Sequence, residues 1–121
     1  MLIDHRTYRV RPFTLHKQLA LFGEHGYPVL RRHIGEPLGI FLPTDGDINS
    51  YIHIWVFEDH ADRARRRALL DKDPAWHAFL ERAAQAAYIT HQESRLMVPS
   101  DLVAVPWPKI APLPGHPASE N

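Results

Sequence analysis

Residues 51–60, YIHIWVFEDH, decide the fold. The run is rich in β-branched and aromatic residues and reads as a strand over Ser50 to Glu58. Because successive side chains of a strand point to opposite faces, Ile52, Ile54 and Val56 share one face. Tyr51, His53, Trp55 and Phe57 share the other. Both faces are too apolar for water, and helices packed on one face leave the second bare. A second copy of the chain is the simplest cover, so a homodimer is expected.

Working outward, LIDHRTYRV alternates as a first strand over about residues 2–10. Pro12 stops it and Thr14 stands where a helix N-cap belongs. Leu15, Leu19, Phe22 and Leu30 recur at helical spacing, interrupted at Gly23, Gly26 and Pro28, and Gly35 supplies a C-terminal stop. PLGIFLPT is a second strand, joined to the third by the turn-forming DGDIN. A further helix follows with an apolar stripe through Ala61, Ala64, Ala68 and Leu69. Asp73 and Pro74 restart it, with Trp76, Phe79, Leu80 and Ala83 facing the core. THQESRLMVP is the fourth strand.

The order strand–helix–strand–strand–helix–strand is the ferredoxin-like βαββαβ pattern of an α+β domain. Right-handed crossovers give an antiparallel sheet in the order 4-1-3-2 with the helices on one face. The domain is expected to span residues 1–99. Residues 100–121 are Pro-rich and aperiodic and read as a tail, with Trp107 as a point of packing.

Composition narrows the function classes. The 121 residues are 45% apolar and 23% charged with zero formal net charge, an ordinary globular balance without the basic excess of a nucleic-acid binder. Cysteine is absent, which removes disulfides, thiolate metal sites and cysteine nucleophiles. No basic segment followed by a long apolar run opens the chain, so a cytoplasmic protein without membrane contact is expected. Nine histidines form no His-x3-His or His-Glu-x-x-His element, and no metal or other cofactor is expected. The arginine run DRARRR follows Glu58, Asp59 and Asp62. It reads as a solvated or interface helix face through Arg63, Arg66 and Arg67, not as a phosphate patch.

Three blocks, HRTYRVRP (5–12), YIHIWVFEDHADRARRRALLDKDPAWHAFL (51–80) and ESRLMVP (93–99), resemble the NIPSNAP family. The resemblance covers about residues 1–99. It implies a dimeric α+β barrel in which two four-stranded sheets pack face to face, within a superfamily that includes cofactor-independent monooxygenases and muconolactone isomerase. It implies no catalytic residue set. One departure stands out: the glycine expected after Pro12 is Phe13 here.

The residues able to do chemistry lie on the strands. Period-2 alternation puts Asp4, Arg6 and Tyr8 together on strand one, Tyr51, His53 and Trp55 on strand three, and Glu93, Arg95 and Met97 on strand four. If these rows share the helix-covered face, His53 is a candidate proton-transfer residue. Arg6, Tyr8, Tyr51, Trp55 and Arg95 are then candidate ligand-binding residues around a pocket. On the alternative reading the charges pair internally and His53 donates to a carboxylate or carbonyl. Two functions follow: a binder or enzyme for a small hydrophobic or aromatic molecule, or a non-catalytic dimeric protein-interaction module.

Overall fold

The computed structural model describes residues 1–107 and 110. Nine elements follow one another: β1 (Leu2–Val10), α1 (Leu15–Leu21), a π-helical turn (Phe22–Gly26), α2 (Tyr27–Ile34), β2 (Gly39–Phe41), β3 (Ser50–Phe57), α3 (His60–Asp71), α4 (Pro74–Ala86) and β4 (Ile89–Met97). The strands form one antiparallel sheet in the order β2-β3-β1-β4, as the crossover rule requires.

The breaks are where Gly and Pro put them. Gly23, Gly26 and Pro28 turn the first helix through a π-helical segment rather than a simple kink, and α2 ends at Gly35 with φ 94°. Asp73 caps α4 by accepting from the Ala75 N–H, with Pro74 at the first helical position. Thr14 holds the N-cap position of α1 without capping it. Its hydroxyl donates instead to the Arg11 carbonyl at 2.6 Å, closing the turn in which Phe13 adopts φ 69°.

The core lies between the helices and the face of the sheet that carries Leu2, Trp55 and Phe57. Phe22, Leu30, Ile34, Leu70 and Phe79 come down from the helices to meet it. On the other face Ile52 and Ile54 are half-buried, while Val56 is buried.

Three expectations are corrected. First, the sheet is open and does not close into a barrel: β2 and β4 are its edges, and four strands are too few to curl round on themselves. Second, α3 does not bury Ala61, Ala64, Ala68 and Leu69, all of which are exposed. Its inward stripe is Asp62, Arg66 and Leu70, so the arginine run is not a solvated face. Arg66 is buried in an ion pair with Asp62 at 2.9 Å, and Arg63 and Arg67 are half-buried beside it. Asp4 of β1 draws Arg63 inward, with Nε 3.1 Å from Oδ2, while Asp62 holds Arg66. Third, Leu80 of the expected α4 stripe is largely exposed, although Phe79 is buried and Trp76 and Ala83 partly so. Residues 100–107 form no helix or strand and Trp107 is half-buried. Most of the expected tail beyond them lies outside the described residues.

Candidate functional site

The register of β1 on β3 places Arg6 directly opposite His53, Asp4 opposite Trp55 and Tyr8 opposite Tyr51. All six side chains therefore point to the helices, as alternation requires. Arg95 does not join them. It pairs with His5, and the inward positions of β4 are Gln92, Ser94 and Leu96. Of the expected site residues, Arg6, Tyr8, Tyr51, His53 and Trp55 come together and Arg95 lies on the opposite face.

A cavity of about 300 Å³ opens between this row and the helices. Its floor is Asp4, Arg6, Tyr8, Tyr51, His53 and Trp55. Its roof is built by Phe22 of the π turn, by Arg67 and Asp71 of α3, and by Trp76, Phe79 and Leu80 of α4. The π turn matters here. It moves Phe22 over the sheet, with its ring centroid 4.6 Å from that of His53 and 6.1 Å from that of Phe79. Gly26 makes this close approach possible, since a Cβ there would lie 2.8 Å from the Phe79 ring.

His53 is only 1% exposed and sits among aromatic rings, at centroid distances of 5.0 Å from Tyr8, 5.2 Å from Tyr51 and 6.0 Å from Trp55. Neither Nδ1 nor Nε2 has a hydrogen-bond partner among the described residues. The expectation of a satisfied core histidine is thus not met. Burial, and then the Arg6 charge, push its pKa down to about 4 against a smaller pull upward from Asp4, so the imidazole is neutral near pH 7.

Its neighbours, by contrast, are partnered. Tyr51 accepts a hydrogen bond from the buried Gln18 Nε2 at 2.9 Å, and burial raises its pKa. Arg6 forks onto Asp4, with Nε 3.1 Å from Oδ1 and Nη2 3.3 Å from Oδ2. Burial alone would lower its pKa, but Tyr8 and Asp4 together raise it. Arg63 adds a third hydrogen bond to Asp4, through Nε at 3.1 Å from Oδ2.

Reading the sequence placed Phe22 and Phe79 on apolar helix stripes, from which aromatic walls were expected, but did not identify Gln18 or Arg67 as lining the cavity. The signal for Arg67 was its spacing: positions 63, 66 and 67 share one helix face with Leu70, the aliphatic side chain that α3 buries fully. Among the described residues no group of three or more His, Asp or Glu side chains is arranged to hold a metal ion. Among the described residues no helix is long and apolar enough to cross a membrane.

The family model described as NIPSNAP matches residues 3–103. "Protein NipSnap homolog" of Dictyostelium discoideum is 34% identical over 97 residues, covering 80% of this chain and 42% of that protein, so the chain spans less than half of its relative's length. Among solved structures, protein Atu4242 of Agrobacterium tumefaciens is 34% identical with a TM-score of 0.77, over 84% of this chain and 96% of that one. A NIPSNAP domain protein from Burkholderia xenovorans is 30% identical with a TM-score of 0.79, over 87% and 100% of the two chains. A putative antibiotic biosynthesis monooxygenase from Nitrosomonas europaea, at 8% identity and a TM-score of 0.58 over 82% and 98%, shares the fold alone.

Proposed function

This chain belongs to the NIPSNAP family, and from that premise we propose that it binds a small, largely apolar or aromatic molecule in the cavity between helices and sheet, with His53 hydrogen-bonding the ligand. The observation that carries this reading is the burial of both His53 ring nitrogens, without partners among the described residues, at a cavity walled by aromatic rings. Leaving a buried polar atom unsatisfied costs about 1–3 kcal/mol, and a ligand oxygen or hydroxyl would recover that cost. The volume falls at the lower end of the range for small-molecule sites.

The roles follow from geometry. Tyr8 and Trp55 supply wall area, Tyr51 is steadied by Gln18, and Arg6 is fixed by Asp4 as part of the polar floor. Neutral His53 can donate from one nitrogen and accept at the other. If the bound molecule is transformed, His53 is the group that would polarise a carbonyl by hydrogen bonding or take a hydroxyl proton. With its pKa at about 4 it is a weak base in the free protein, which favours the hydrogen-bonding role. A homodimer formed through the outer sheet face is supported by the half-buried Ile52 and Ile54, over which no helix packs.

Calorimetric titration with 2-naphthol tests the role of His53. The wild type should bind it, and His53→Phe, which keeps an aromatic ring there and removes both nitrogens, should bind at least about tenfold more weakly. Equal affinity would remove His53 from the site. No binding to the wild type, together with no small molecule retained in native mass spectra of freshly purified protein, would overturn the ligand-binding reading.

A further inference from the structure

We propose that the ligand is an aromatic monocarboxylate and that Arg67 is the group that binds its carboxylate. This rests on the cavity reading above and names the ligand class for it. Arg67 lines the cavity from α3 and is half-buried. Among the described residues it makes no hydrogen bond and no ion pair. Of the two carboxylates near it, Asp4 is already bonded to Arg6 and Arg63 at 3.1–3.3 Å, and Asp71, one helical turn further along α3, forms no ion pair with it. Burial, and then the charges of Arg6 and Arg63, depress the Arg67 pKa, with Asp4 and Asp71 opposing more weakly. A cation held beside two other cations, partly out of water, gains from an incoming anion.

The surroundings select the kind of anion. Guanidinium presents a planar fork that matches a carboxylate in bidentate fashion. Asp71 also lines the cavity and is not paired with Arg67, so a dianion such as a phosphate monoester would meet there twice the repulsion that a single negative charge meets. The rest of the lining is aromatic. Trp76 and Phe79 stand 5.2 Å apart at 32°, and Phe22 continues the wall to His53. Rings of this kind favour a flat apolar body, and the volume suits one or two fused rings. His53 then serves a second polar atom of the ligand.

A matched pair of probes separates this proposal from the reading beneath it. 2-Naphthoate and 2-naphthamide differ in charge while sharing a ring system, and both are titrated into the intact protein at about pH 7, where the acid is ionised. The naphthoate should bind at least roughly tenfold more tightly than the amide. Arg67→Gln should abolish that preference while keeping amide binding, and Arg67→Lys, which keeps the charge but not the fork, should restore only part of it. Exposed Arg65→Gln should change nothing, and thermal melts of each variant verify folding. Equal binding of the two probes, or a preference that survives Arg67→Gln, overturns the carboxylate proposal and leaves the cavity reading intact. So does inorganic phosphate displacing naphthoate as effectively as benzoate does. If neither naphthalene probe binds the wild type this proposal fails, and the cavity reading fails with it when native mass spectra also show no retained small molecule.

Discussion

His53 shows how one residue's place in a strand sets its chemistry. Its folded-state pKa of about 4 lies below the ordinary 6.5. Between those pH values the unfolded chain therefore carries a proton that the native chain does not. Stability rises with pH through that window, levels off above it, and is lower by on the order of 3 kcal/mol below it. Urea unfolding from about pH 4 to 6.5 should show this dependence in the wild type and a flatter one in His53→Gln. Parallel curves for the two would mean that burial does not hold His53 neutral. Period-2 alternation was enough to put His53 on the helix side. The absence of a partner was not legible, because it depends on Asp4 being taken by Arg6 and Arg63, and the second of these comes from an element 59 residues away. Phe13 is a second such case. It stands at φ 69° and is 98% exposed, so its ring packs on little while its backbone is strained. Phe13→Gly should raise stability by about 0.5–1 kcal/mol in denaturant titration, the strain relieved exceeding the entropy glycine adds to the unfolded chain.

At the level of elements, the two helical layers position the site by opposite means. The π turn does it by shape. Gly26→Ala would press a methyl into the Phe79 ring, which is already confined by Phe22 and Trp76, and should cost about 1–3 kcal/mol. Naphthol affinity should fall with it, because both displaced rings line the cavity; an unchanged melting temperature would show that the turn tolerates the methyl. The helix α3 works by charge. Asp62 accepts from the Glu58 N–H at 3.0 Å and pairs with the buried Arg66, so the face that looks most soluble in the sequence is the one that packs inward. Glycine and proline positions made the helix breaks readable. Charge made the α3 face unreadable, since arginine is inside only when something else has put carboxylates there first. Arg95 failed for a related reason. Alternation divides β4 into two sets of residues, but only the pairing of Asp4 with Leu96 decides which set faces the helices.

For the molecule as a whole, the outer sheet face sets the remaining question. Strand order and helix placement followed from the sequence because crossover handedness leaves few alternatives. Barrel closure did not follow, because it was carried by the resemblance and the sheet itself ends in two open edges. What the strands do present is an aliphatic patch: Ile52 and Ile54 on β3, with Ile3 and Met97 paired across β1 and β4, all only half-buried. Burying the exposed half of such side chains stabilises by about 1 kcal/mol each, roughly half the value for full burial, and a second copy presenting the same patch satisfies both chains at once. The protein should therefore run as a dimer in multi-angle light scattering at micromolar concentration. Ile54→Asp should shift it to monomer, because a carboxylate at that position would have to be desolvated as the two sheets meet, even with His5 opposite it. Ile54 points away from the cavity, so monomeric Ile54→Asp should still bind 2-naphthol. A wild-type monomer would end the dimer reading, whereas loss of naphthol binding in a folded monomeric variant would show that the cavity depends on the partner.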